Sequence, residues 1–351
     1  MIKSSYYVLG VMSGTSLDGV DLAYINFTFN GKWHYRFLKC ETIAYSNIWL
    51  IKLKNLVELS KNNLEQVNLD YTFYLASVIN EFLEKNQISD VDFISSHGHT
   101  ALHQPENGIT VQIGNKQELS NLTKHTVICD FRIQDVLLGG QGAPLVPIGD
   151  KLLFSEYDFC LNLGGFANMS SEIDGRRIAF DICPVNIVLN YYVASLGMDY
   201  DDAGNVAASG HINNDLLNQL NTLEFYSETY PKSLGLEWVD KYILPCINSY
   251  QLSVADILRT FIAHISIQIG RQLPSGNVLV TGGGVYNLFL IKEIKKQTLA
   301  EIIIPNPELI EFKEALIFSL LGVLKYRNEI NCLASVTGAK MDHSSGITFL
   351  P

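Results

Sequence analysis

The sequence predicts a duplicated α/β protein of two lobes, and three observations carry that prediction. Each half of the chain opens with three consecutive strand-like runs. Helix–strand units follow each set. Between the two series, around 137–149, "LLGGQGAPLVPIG" concentrates Gly and Pro as a crossing segment would. At 351 residues the chain has room for two domains or one large two-lobed one. Its 47 % hydrophobic and 17 % charged residues supply a sizeable core and argue against disorder.

Taken in order, 6–11, 20–28 and 33–44 read as strands, being rich in Val, Ile, Tyr and Phe. Amphipathic patterns at 47–60 and 64–86 predict helices, and strands follow at "VDFISS", "ITVQIG" and, after a short helix, "TVICD". The second half restarts the plan with "YDFCLNL", "FANMSSEI" and "GRRIAFDI" as strands. Helices are expected at about 185–197, 236–249 and 253–272, then strand "NVLV", a Gly-rich turn, a helix, strand "EIII" and a helix at 311–327.

Charge narrows the function. With 25 basic and 36 acidic residues, the formal charge of −11 disfavours nucleic acid and anionic membranes as partners, since both need a positive face. No apolar run approaches the roughly 20 residues that span a bilayer, and no signal peptide is expected. The six cysteines form no C-x-x-C pair, and several sit inside apolar strands. They read as small buried hydrophobes of a reduced, cytoplasmic protein.

Three glycine turns point to a ligand. In "VMSGTSLDGVD", Gly14, Thr15, Ser16 and Gly19 offer hydroxyls and uncluttered N–H groups, while Asp18 and Asp21 add carboxylates. The turn joins two strands and holds no Lys, so it is neither a P-loop nor a dinucleotide fingerprint, both of which lead into a helix. It suits a phosphate held by clustered N–H donors, with an ordinary solvated hairpin as the plain alternative. "LNLGGFAN" repeats the theme with Asn162, Gly164 and Gly165, and "VLVTGGGVYN" with Gly282, Gly283 and Gly284. Each ends an apolar strand, as expected of a nucleotide lying between two lobes.

These segments, with "SHGHTALHQP", "DFRIQDVLLGGQGAPLVPIGDKLLF", "PKSLGLE", "FKEALIFSLLG" and "VTGAKMDHSSG", resemble the anhydro-N-acetylmuramic acid kinases of the actin, sugar-kinase and Hsp70 superfamily. The resemblance runs through nearly the whole chain. It implies a two-lobed actin-like (ribonuclease H-like) fold with duplicated mixed sheets and an interlobe cleft. The first lobe would take 1–136 and the closing segment 332–351, the second 137–331. It implies ATP and Mg²⁺, with the first turn around the phosphates and the triple-Gly turn near the adenosine. The implied reaction opens 1,6-anhydro-N-acetylmuramic acid with water and phosphorylates O6, giving N-acetylmuramate 6-phosphate for peptidoglycan recycling.

In "AFDICPVN", Asp181 follows a strand and precedes Pro184, which places it in the first turn of a helix, where an N-cap is the common role. The resemblance makes it the catalytic base instead. The segment departs from the family's "FDTGPGN" at Ile182, Cys183 and Val185, and Asn190 and Leu236 replace an acidic residue and an Arg further on. Arg132 would bind the substrate carboxylate, or pair with Asp130 or Asp135. Glu314 would bind substrate, or be a solvated helical charge. His97 would wall the sugar pocket, with Asn186 also at the substrate, and Lys232 and Ser233 would reach a phosphate or lie on a surface loop. His97, His99 and His103 also permit a metal-dependent hydrolase. No direct protein ligand to a metal is assigned, Asp18 and Asp21 being the carboxylates nearest that role. A nucleotide- or muropeptide-binding homologue without turnover, or a kinase for another sugar, is the alternative function. The expected partners are an amino sugar and ATP, and a homodimer is compatible with the sequence.

Overall fold

In the computed structural model, residues 3–14 and 16–351 are described. Twelve strands among them fall into two mixed sheets. In the first, β1 (Ser5–Ser13), β2 (Gly19–Phe29) and β3 (Trp33–Ala44) form an antiparallel meander. β4 (Phe93–Gln104) pairs parallel to β1, with β5 (Ile109–Ile113) as its antiparallel hairpin partner, and β6 (Val127–Cys129) runs parallel to β4. In the second, β7 (Phe159–Leu163), β8 (Phe166–Ile173) and β9 (Arg176–Pro184) are again an antiparallel meander. β10 (Asn277–Thr281) and β11 (Glu301–Ile303) extend it in parallel on the β7 side. The last strand, β12 (Ile347–Phe349), returns to the first sheet antiparallel to β6.

The two orders, β3-β2-β1-β4-β6 and β9-β8-β7-β10-β11, are therefore one plan used twice, the duplicated ribonuclease H-like arrangement of the actin-like class. Each sheet has its own apolar core. In the first, helix Lys61–Lys85 is capped by Ser60 and buries Leu64, Tyr71, Leu75, Val78, Ile79 and Phe82, one stripe at helical spacing. In the second, helix Val254–Gln272, capped by Ser253, does the same with Leu258, Phe261, Ile262, Ile265 and Ile269. Gly10 is required in β1, because a Cβ there would stand 2.1 Å from Ser319 Oγ on helix Pro307–Tyr326.

The chain divides into one unit of residues 1–153 and 312–351 and a second of 154–311. These boundaries lie later and earlier, respectively, than the 136/137 and 331/332 read from the sequence. Side-chain contacts account for both differences. Asp135 takes the Gly142 N–H at 2.7 Å, Lys313 pairs with Asp150 at 2.8 Å, and Gly149 packs directly on Ile317. The Gly/Pro-rich stretch and the helix Val146–Leu153 thus belong to the first unit. Two further details departed from expectation. The pattern at 47–60 breaks into helix Asn47–Lys54 and a 3₁₀ turn Leu56–Glu58, and 236–249 contains a π-helical turn, Val239–Ile243.

Candidate active site

In the first unit, the candidate residues collect at the C-terminal ends of β1 and β6 and at the adjoining middle of β4, the side on which open α/β sheets bind ligands. The turn after β1 is shaped by its own polar groups. The Gly14 carbonyl accepts the Leu17 N–H at 3.4 Å, Leu17 is left-handed at φ 62, and the Ser16 hydroxyl donates to Asp18 Oδ1 at 2.8 Å. Asp18 is exposed. Asp21 sits in β2 opposite Met12 and accepts the Thr42 hydroxyl at 2.6 Å. Gly19 is needed for sheet packing, since a Cβ would meet the Ile43 carbonyl at 2.5 Å. Thr15 lies outside the described residues.

Beneath this turn stands a buried hydroxyl ring that the sequence did not reveal. Ser13 Oγ lies 2.5 Å from the Tyr45 hydroxyl, Tyr71 donates to Ser13 at 2.8 Å, and the two tyrosines are 2.6 Å apart. His99 Nδ1 completes the group at 3.0 Å from Ser13. Burial pushes Tyr45 up to about 12 and His99 down to about 4, so the group is neutral at physiological pH. Tyr71 looks in sequence like any aromatic on an apolar helix face, and only the fold aims its hydroxyl at Ser13.

Arg132 is held by two neutral acceptors. Its Nε donates to His97 Nε2 at 3.1 Å and its Nη1 to the Gly142 carbonyl at 2.6 Å. His97 is 2.8 Å from the Gly98 carbonyl through Nδ1, which fixes the tautomer that leaves Nε2 as acceptor. Burial, then the Arg132 charge, holds His97 well below its usual range. Phe318 backs both groups, its ring edge-on to His97 at 4.5 Å. No ion pair joins Arg132 to Asp130 or Asp135 among the described residues, and of the carboxylates that act on its charge Glu314 counts most. Glu314 is exposed on helix Pro307–Tyr326, next to the buried Lys313. His97, His99 and His103 have separate partners and do not form a group able to share a metal ion among the described residues.

In the second unit, Asp181 lies inside β9 opposite Asn168, which corrects its expected place in the first turn of a helix. The strand continues through Pro184, and the helix begins only at Asn186. A bulge at Ile182 follows Asp181 at once, a device that re-aims side chains near active sites. The loop carrying Lys232 runs along this edge of β9. The Asp181 N–H donates to the Lys232 carbonyl at 3.1 Å, and the Leu234 N–H donates to Asp181 Oδ2 at 2.8 Å. Burial raises the Asp181 carboxyl above the usual range, partly opposed by the Leu234 N–H. The Lys232 ammonium turns away, donating to the Phe225 carbonyl at 3.0 Å and lying over that ring. Ile182, Cys183 and Val185 are all buried in the second unit's core.

The two remaining glycine turns share one corner. β7 and β10 pair in parallel with Asn162 opposite Thr281, so their ends are adjacent. Gly282 has φ +85, and a Cβ on it would stand 2.6 Å from Asn162 Oδ1, whereas one on Gly283 would meet nothing within 4 Å. At Gly164 and Gly165 the carbonyls are already engaged. They accept the N–H groups of Val185, Asn186 and Ile187 at 2.8 to 3.3 Å, seating the helix Asn186–Val193 on the turn.

Similarity to known proteins identifies the family. The family model for anhydro-N-acetylmuramic acid kinase matches residues 6–351. The chain is 31 % identical to the anhydro-N-acetylmuramic acid kinase of Francisella tularensis subsp. novicida, covering 95 % of this chain and 96 % of that one. The Haemophilus influenzae enzyme of the same name is 31 % identical over 99 % and 98 %, and that of Shewanella denitrificans 33 % identical over 97 % and 96 %. No helix among the described residues is long and apolar enough to cross a membrane. An actin-like duplication, polar groups gathered at the strand ends and a match along nearly the whole length together place this chain in the anhydro-N-acetylmuramic acid kinase family of ATP-dependent sugar kinases.

Proposed function

We propose that Asp181 is the general base that activates water against the anomeric carbon of 1,6-anhydro-N-acetylmuramate while O6 accepts the γ-phosphoryl group of ATP. The water oxygen bonds to the anomeric carbon, its proton passes to Asp181, the bond from that carbon to O6 breaks, and O6 bonds to phosphorus as ADP leaves. The observation that carries this reading is the environment of Asp181. Burial raises its basicity, one backbone N–H fixes Oδ2, and Oδ1 has no partner among the described residues. A carboxylate so held suits proton abstraction from water better than a helix cap.

The other roles follow from charge and donor type. Arg132, braced by His97, takes the sugar's carboxylate, and Glu314 and Asn186 contact its polar substituents. The turn from Gly14 to Asp21 receives the ATP phosphates. Asn162, Gly164, Gly165 and Gly282 to Gly284 receive the nucleotide, Gly283 being the position with open space. Asp18 and Asp21 offer hard carboxylate oxygens of the kind Mg²⁺ accepts alongside phosphates, and the ion when bound would neutralise charge on the transferring group. Mass analysis of the product tests the reaction. With Mg-ATP and the anhydro sugar, the product should be heavier by one water and one phosphoryl group. A phosphorylated sugar that had gained no water, or no sugar product at all, would refute the coupled reaction.

A further inference from the structure

A second cluster, remote in sequence from the base, has no part in that chemistry. Cys332 and His343 face each other across an isolated antiparallel bridge, exchanging N–H···O bonds of 3.1 and 3.2 Å. Such a pair puts both side chains on one face. That face meets Asp135, and the three residues are 1 %, 5 % and 0 % exposed, respectively. Their ligand atoms all lie within 4.8 Å of one another. The Cys332 thiol lies 3.1 Å from Asp135 Oδ1, and His343 Nε2 lies 3.6 Å from the same oxygen. Thr337 also donates to Oδ1, at 2.7 Å, while Oδ2 takes the Gly142 N–H.

The histidine is the telling member. Its Nδ1 is 3.1 Å from the Met341 carbonyl, so that nitrogen carries the proton and Nε2 presents a lone pair. That lone pair is buried, has no hydrogen-bond partner among the described residues and stands 3.6 Å from a carboxylate oxygen, too distant for a hydrogen bond. Asp135 Oδ1 already accepts from the Cys332 thiol and the Thr337 hydroxyl, so the unserved lone pair is that of His343, and a positive centre beside the carboxylate would satisfy it. Around a tetrahedral zinc, with N and O ligands at about 2.0–2.1 Å and a thiolate at about 2.3 Å, ligand atoms stand roughly 3.3–3.6 Å apart, so the Asp135 contacts at 3.1 and 3.6 Å need shift by only a few tenths of an ångström. A backbone carbonyl behind the far imidazole nitrogen is also the usual support of a metal-bound histidine.

We infer that Asp135, Cys332 and His343 form a structural site for a divalent transition metal, zinc by its mixed S, N and O donors, with water or the Thr337 hydroxyl in the fourth position. Binding would replace the thiol proton by the metal, releasing that proton to solvent. The ion would clip the segment 332–343 to the loop that ends at Gly142, whose carbonyl holds Arg132. It is a brace behind the sugar-binding residue, and it stands whether or not Asp181 is the base.

Cobalt tests it on the full-length chain after chelation. Titration with Co²⁺ alone should give a thiolate-to-cobalt absorption band that saturates at about one metal per chain. Cys332→Ser, which keeps a hydroxyl donor for Asp135, should abolish the band, and His343→Gln should weaken binding at least tenfold. Zn²⁺ should raise the melting temperature of the wild type and not of Cys332→Ser. Absence of the band in the wild type would overturn the site and leave a proton as the bridge. A band of unchanged intensity in Cys332→Ser would overturn it equally, by placing the metal on another thiol.

Discussion

The two units share a strand order and differ in what they build at the end of the first strand. In the first unit, β1 runs into a turn furnished with hydroxyls and carboxylates, resting on the ring of Ser13, Tyr45, Tyr71 and His99. In the second, β7 runs into two bare glycines whose carbonyls hold the next helix. The carboxylate proposed as the base, Asp181, comes from the third strand of that unit, β9, where a covering loop grips it through Leu234. The equivalent third strand of the first unit, β3, is an edge alternating toward solvent. The lesson is that duplication fixes where strand ends fall, while the chemistry depends on what covers each edge.

The largest expected effect comes from removing the proposed base. Asp181→Asn should lower kcat by about 10²–10⁴-fold with ATP affinity unchanged, read by steady-state kinetics and nucleotide titration. A fall confined to ATP affinity would move the chemistry to the first unit. Arg132→Ala should raise the KM for the sugar about 10–100-fold, the worth of a charge-assisted hydrogen bond, with a smaller change in kcat. The glycines of the second unit can be separated by stability. Gly282→Ala, forced into φ +85 against Asn162, should cost about 1–3 kcal/mol in urea unfolding. Gly283→Ala should leave stability alone and change ATP affinity only. Tyr71→Phe should cost about 1 kcal/mol by breaking the hydroxyl ring.

The smallest effect is a pH dependence. The folded-state pKa of Asp181 is raised, so its contribution to stability is fully present below the unfolded value of about 3.9 and is lost as pH rises through the folded value. Asp181→Asn should therefore melt at or above the wild type at neutral pH, and that advantage should shrink on acidification. An advantage constant with pH would mean that burial of the charge is not what shifts the group.

Much of this plan was legible in the sequence because period-2 apolar runs and glycine turns are local signals. The meanders, the three turns and the order of the later helices follow from them. The location of Asp181 was not legible, because a strand that persists through Pro184 at the sheet edge looks like a strand ending before a helix. Nor was the boundary after Leu153, which depends on Asp135, Asp150 and Lys313 meeting partners far away in the chain. Tyr45 and Tyr71 give no polar signal at all, since an apolar pattern hides where a phenol points. Arg132 was legible as a candidate, but its support by His97 depends on the parallel pairing of β4 with β6.

The division of labour between the units is tested most directly with ¹⁸O-water. Wild type and Asp181→Asn would each be incubated with Mg-ATP and 1,6-anhydro-N-acetylmuramate, and the products followed by mass spectrometry. The wild type should yield phosphorylated sugar labelled at the anomeric carbon, and the variant should form it slower by the same factor as its loss of kcat. Unlabelled sugar phosphate, or label arriving equally fast in both proteins, would contradict the role given to Asp181.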